Sequence, residues 1–144
     1  MRNKNKIFIF IFIIVILLVV GLYLSHKNKK DTYIDTQKAR INLYFKYNLK
    51  DYHTLKITKF EKSPMGGFFV DGYINNDKKY KFKVLISSSD SHQFTGDIGY
   101  DPKTLGTLFK HEDPANELTP SDIIKKENLN KKDYEADPPL IWGF

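Results

Sequence analysis

From Ile7 to Leu24 the chain runs without a charge, and sixteen of these eighteen residues are Ile, Leu, Val or Phe. As a helix rising ~1.5 Å per residue the stretch covers about 27 Å, close to the hydrocarbon thickness of a bilayer. A water-soluble helix of this length keeps a polar face, and this one has none. The pattern therefore predicts a membrane-inserted helix. A charged start followed by an apolar run also describes a secretory signal, but this run outlasts the usual h-region of about 7 to 15 residues. Nor is there an A-x-A-like pair of small residues at its end: Gly21 and Ser25 each have Tyr23 two places away. The reading is an uncleaved signal anchor over 7–24, a short cytoplasmic tail over 1–6 and a basic linker over 25–31. Basic residues flank the span on both sides, so counting them does not orient it. A six-residue tail ahead of a signal-like segment normally stays inside, which puts the remainder of the chain outside the cell membrane.

Beyond the linker the periodicity is helical from Thr32 to about Asp51. Ile34, Ile41, Phe45 and Leu49 share a stripe with Tyr44 and Asn48 beside it, while Lys38, Asn42, Lys46 and Lys50 face away. Asp31 or Thr32 is expected to cap the first turn. After Tyr52 the period falls to 2. Leu55 and Ile57 alternate with Lys56 and Thr58, then Phe60 breaks step by one, as at a bulge. Pro64, Gly66 and Gly67 mark a loop. Phe68, Val70 and Ile74 alternate with Phe69, Asp71 and Tyr73, with Gly72 leaving a gap on the first face. Asn75-Asn76-Asp77-Lys78 is hairpin-turn chemistry. Tyr80, Phe82, Val84 and Ile86 then alternate with lysines, and Phe94, Gly96, Ile98 and Tyr100 suggest a fourth strand.

These elements predict an α+β fold: an N-terminal transmembrane helix, then an amphipathic helix packed on a four-stranded antiparallel sheet in a cystatin-like layout, its lysine-bearing face toward water. A single domain spans 32–129. It includes a short helix near Leu105, Leu108 and Phe109, and another begun by Thr119-Pro120-Ser121-Asp122 with Thr as cap and Pro at the first position. The C-terminal tail, 130–144, holds the single Trp, and Pro138-Pro139 forbids a helix there. Both docking of this tail on the domain and its display as a partner-binding peptide fit the pattern.

The formal net charge of +6 changes meaning once it is located. Arg2, Lys4, Lys6, Lys27, Lys29 and Lys30, six of the 23 basic residues, flank the span, which leaves 17 against 17 acidic residues for the domain. The excess therefore belongs to the membrane flanks, and the basic footprint that nucleic-acid binding requires is missing. The chain has no cysteine, which excludes disulfides, thiolate metal sites and a lipoprotein anchor.

No arrangement of residues points to catalysis, a metal or a cofactor. His26, His53, His92 and His111 lack metal-site spacings. Ser87, Asp90 and His92 crowd one short stretch, whereas triad members converge from separate elements around a strained nucleophile elbow. Gly66-Gly67 lacks the spacing of a phosphate loop, and its plain reading is a tight connection. The expectation is a non-enzymatic binding protein, with Ser63, Pro64, Met65, Gly66, Gly67, Phe69, Tyr73 and Trp142 as candidate partner-binding residues.

The runs Thr54 to Phe60, Pro64 to Val70 and Gly72 to Asp77, with Asn42 to Lys46 and Phe94 to Ile98, resemble a family of small, uncharacterised Gram-positive surface proteins, often tandem lipoproteins. The likeness covers about Tyr33 to Leu108, and Pro-Met-Gly-Gly is its most specific part. It implies that some members are immunity proteins, displayed outside the membrane to neutralise a lipase toxin secreted by a type VII system. It implies no catalytic residues. Lacking the lipidated cysteine, this chain would use Ile7 to Leu24 as its anchor. The leading expectation is thus a membrane-anchored immunity protein whose partners are the bilayer and a secreted toxin. The alternative is an accessory or structural component of a cell-envelope complex.

Overall fold

The computed structural model describes residues 2–142; Met1 and the Gly143-Phe144 end of the expected tail lie outside the described residues. Its first element, α1, is one unbroken helix, Arg2–Asn48, of 47 residues. At ~1.5 Å per residue it is about 70 Å long. The apolar residues from Ile7 to Leu24 are exposed all round, and this is one helix long and apolar enough to cross a membrane.

The basic linker 25–31 is itself helical and joins the apolar run to the domain helix. Asp31 and Thr32 consequently cap nothing, because they lie inside α1. No Gly or Pro interrupts residues 22–48, and the lysines there are good helix formers. The helix has no local reason to break.

The sheet is an antiparallel meander in the order β1 (Leu55–Lys62), β2 (Phe68–Ile74), β3 (Lys81–Ile86) and β4 (Ile98–Tyr100). The bulge falls where the period slipped, between Ile57 and Lys59. There Thr58 Oγ1 donates to the Asp71 carbonyl at 3.1 Å. The β2–β3 turn places Asn75 and Asn76 at φ of 55° and 54°, a left-handed conformation that asparagine tolerates better than most residues. Across it, Gly72 pairs with Phe82, whose ring covers the glycine and packs on Phe45 at 4.8 Å between centroids. Only a glycine leaves room for that ring.

The domain end of α1 crosses the sheet. Tyr33, Ile41, Tyr44, Phe45 and Leu49 pack with Phe68, Val70 and Ile74 of β2, and with Phe82, Val84 and Ile86 of β3. The buried stripe is rotated from the expected one: Tyr33, Gln37 and Arg40 are buried and Ile34 is only half-buried. A smaller cluster on another face of α1 joins Leu43 to Ile123 and Ile124 of α2 (Pro120–Lys126). Thr119 and Asp122 form the full capping box at its start.

The fourth strand is shorter than its alternation suggests. Phe94 leaves the sheet plane and is fully buried against the helix, its N–H donating to Gln37 Oε1 at 2.9 Å and its carbonyl accepting from Arg40 Nε at 2.5 Å. Helix side chains thus take the place of a strand partner. The expected helix near Leu105 is a single 3-10 turn, Leu105–Leu108.

Candidate functional site

The residues expected to touch a partner fall in two separate places. Ser63 to Gly67 and Trp142 gather at the end of the domain nearest the apolar run. Phe69 and Tyr73 lie on the sheet face turned away from α1.

At the first place the β1–β2 connection is a tight turn. Ser63 is buried and its N–H donates to the Gly67 carbonyl at 3.0 Å, while Gly66 N donates back to the Ser63 carbonyl at 3.1 Å. Gly67 has φ +76°, and a Cβ there would sit 1.9 Å from the Ile86 carbonyl oxygen. The glycine is therefore obligatory for packing the turn on β3. Of this loop, Met65 is the large apolar side chain left outside. Trp142 is docked: its ring lies 4.3 Å from that of Phe68 and stacks on Phe60 at 5.6 Å. Tyr33 meets it edge-on, and Lys30 Nζ sits 4.9 Å above its ring. Within the described part of the tail Trp142 is docked, while Leu140 and Ile141 are exposed.

The second place is the open face of the sheet. Register sets Tyr73 between Lys56 and Lys81, and Asp71 between Lys59 and Lys83. Lys56 lies over the Tyr73 ring at 5.7 Å and Lys83 over Phe69 at 5.4 Å, distances at which an ammonium is attracted to an aromatic face. Lys83 also meets Asp71 at 3.4 Å, and Lys59 meets Glu61 at 2.8 Å. A shallow groove of about 690 Å³ runs along this face past Tyr73, Lys81, Gly99, Tyr100 and Thr104. Four lysines against two carboxylates make the face locally cationic, although the domain as a whole is balanced.

Two polar groups escaped the sequence reading, Arg40 in the core and Glu117 half-buried. Arg40 is 2% exposed. Besides Phe94 it donates to Ser121 Oγ at 2.8 Å and the Tyr134 carbonyl at 3.3 Å, with Glu135 at 3.7 Å. Burial lowers its pKa and the Glu135 charge opposes that. Glu117 accepts a hydrogen bond from Tyr44 Oη through Oε2, while its Oε1 is buried with no hydrogen-bond partner. Burial raises the Glu117 pKa, outweighing the Tyr44 hydrogen bond and the nearby His111, which lower it. Tyr44 is pushed up by burial first, and then by the carboxylate it bonds. An isolated glutamate or arginine in an amphipathic pattern gives no sign of such burial.

Ser87, Asp90 and His92 do not assemble as a triad. Ser87 Oγ caps the 3-10 turn Ser88–Asp90 by accepting from Ser89 N, and the His92 carbonyl accepts from Tyr33 Oη at 2.7 Å. Among the described residues no three His, Asp or Glu side chains come together as a metal would require.

A helix laid across a four-stranded meander, with an apolar helical extension, defines the class of protein. The chain belongs to the family described as "Protein of unknown function (DUF1433)", whose pattern matches residues 33–126. That match begins at the first buried residue of the domain helix and ends in α2, beyond the Leu108 limit of the resemblance seen in the sequence. Among solved structures, the folded 79-residue fragment of Lin0334 from Listeria innocua, determined by solution NMR, is similar at a TM-score of 0.52. It shares 25% identity, over 66% of this chain and 94% of that one. No curated protein matches the chain.

Proposed function

We propose that the protein is a membrane-anchored, extracytoplasmic binding protein, and specifically an immunity protein that neutralises a secreted lipase-type toxin. The observation that carries the binding reading is the uncovered sheet face, where Phe69 and Tyr73 lie among Lys56, Lys81 and Lys83. Aromatic rings ringed by cations suit an acidic protein surface, the rings supplying contact area and the lysines steering the encounter. Support for the anchor comes from the exposed apolar run at the start of α1. The toxin is supported by the sequence resemblance alone. Tethering fits this task, because holding the inhibitor at the membrane the toxin attacks raises its effective concentration there.

The test displays the full chain, and a Lys81→Glu/Lys83→Glu variant, on cells challenged with a lipase toxin of a type VII-secreting strain. Protection by the parent, lost in an equally displayed variant, is the expected result. Equal killing of cells with and without the displayed parent overturns the toxin reading. The alternative, an accessory or structural component of a cell-envelope complex, would associate through the apolar helix or through the Trp142-containing tail, and in that tail Trp142 packs on Phe60 and Phe68.

A further inference from the structure

Outside Ile7 to Leu24, the exposed large hydrophobic side chains among the described residues are Met65 at 93%, Leu140 at 98% and Ile141 at 58%. They belong to segments far apart in sequence, yet they share one end of the domain. The β1–β2 turn sits at the end where Phe60 and Phe68 meet Tyr33, early in the domain part of α1. The opposite end is marked by Asn75, whose Nδ2 donates to the Asp51 carbonyl just past the helix. Gly67 and Leu140 line a common cleft with Trp142.

The tail then runs back along α1. Lys30 Nζ donates to the Trp142 carbonyl at 3.1 Å. Pro139 and Leu140 border a groove of about 520 Å³ whose other wall includes Val19, Leu22, Tyr23 and His26. Val19 and Leu22 belong to the apolar run itself, so Leu140 stands at the level where that run ends. Around the same level lie Lys29, Lys30 and Lys62.

We propose that the Ser63–Gly67 turn and the Pro139–Ile141 segment form a lipid-contacting foot, with Met65, Leu140 and Ile141 seated in the interfacial layer of the bilayer that α1 crosses. This rests on reading Ile7 to Leu24 as a membrane span. Apolar tips beside a tyrosine, a tryptophan and several lysines make the composition that settles at a membrane interface, the lysine stems reaching out to headgroup phosphates. The occupant is lipid rather than protein because the patch is continuous with the exposed face of the span. On this account the signature turn keeps its two glycines so that Met65 is held out at the tip.

The absence of cysteine makes the test direct. Met65→Cys, Leu140→Cys, Val15→Cys and Lys78→Cys variants of the full chain each take one environment-sensitive fluorophore. They are reconstituted in phosphatidylcholine/phosphatidylglycerol vesicles that carry nitroxide either high or deep on the acyl chain. Severalfold quenching at 65 and 140 by the shallow nitroxide, at 15 by the deep one and at 78 by neither is the expected result. Quenching at 15 with 65 and 140 as solvent-exposed as 78 overturns the foot and leaves the span standing. Emission at 65 and 140 shifted to that of an apolar site, without quenching, also overturns it by showing a protein occupant. Failure to quench at 15 removes the span, and the foot with it.

Discussion

Arg40 Nε donates to the Phe94 carbonyl at 2.5 Å, in a guanidinium group that also reaches Ser121 and Tyr134. One helix side chain thereby holds the approach to β4, the start of α2 and the tail. Substituting Arg40→Met keeps much of the volume but leaves the buried Phe94 carbonyl unpaired, costing about 1 to 3 kcal/mol, and removes the part-buried bonds to Tyr134 and Ser121. The expected loss is about 2 to 5 kcal/mol, read as a lower unfolding midpoint of the full chain in detergent micelles. Arg40→Lys restores the charge but not the fork of donors, and recovers only part of the loss.

Gly67→Ala and Gly66→Ala separate the two glycines of the turn. At Gly67 the new Cβ meets the Ile86 backbone oxygen at 1.9 Å, while at Gly66 it meets the movable Ser88 Oγ at 3.0 Å. Both positions have positive φ, a conformation that costs a non-glycine residue on the order of 1 to 3 kcal/mol. Gly67→Ala is therefore the more damaging, and a thermal melt in which the two variants coincide would contradict the packing described.

Glu117 sets a pH dependence. Its carboxyl is held above the ordinary value of 4.5 by burial. Between that value and the raised one, the folded state binds more protons than the unfolded chain, so this residue's contribution to stability falls as pH rises through the window. Glu117→Gln keeps an acceptor for Tyr44 and removes the charge. The variant is expected to melt higher than the parent at pH 7, with the difference closing toward pH 4.

Phe69→Ser and Tyr73→Ser lie on the open sheet face, where substitutions away from the core typically change stability by about 0.5 kcal/mol or less. Both are expected to fold normally and to weaken partner capture. By contrast Phe82→Ala, one strand away but on the inner face, empties the space over Gly72 and is expected to cost about 3 to 5 kcal/mol. Midpoints measured side by side distinguish the two faces.

The four strands, their order, the bulge before Phe60 and the Thr119 cap were legible because alternation and turn chemistry are local. Glu117 and Arg40 were not, since their burial depends on which distant carbonyls and hydroxyls the fold brings to them. Phe94 misled for a related reason: its place in the alternation says strand, but Gln37 and Arg40 offer its backbone better partners than a ladder would. Among the candidate contact residues, pattern alone could not separate Trp142, which fills a gap between Phe60 and Phe68, from Tyr73, which does not enter the core.

Because no hinge interrupts α1 between Leu24 and Tyr33, a span seated in a membrane would not hold the domain on a leash. With the span in a bilayer, that helix acts as a stiff mast, fixing the height of the sheet and keeping its lysine face turned sideways rather than up. A partner able to slide along the lipid plane would meet that face at one angle, while a partner arriving from far out in solution would find it turned sideways.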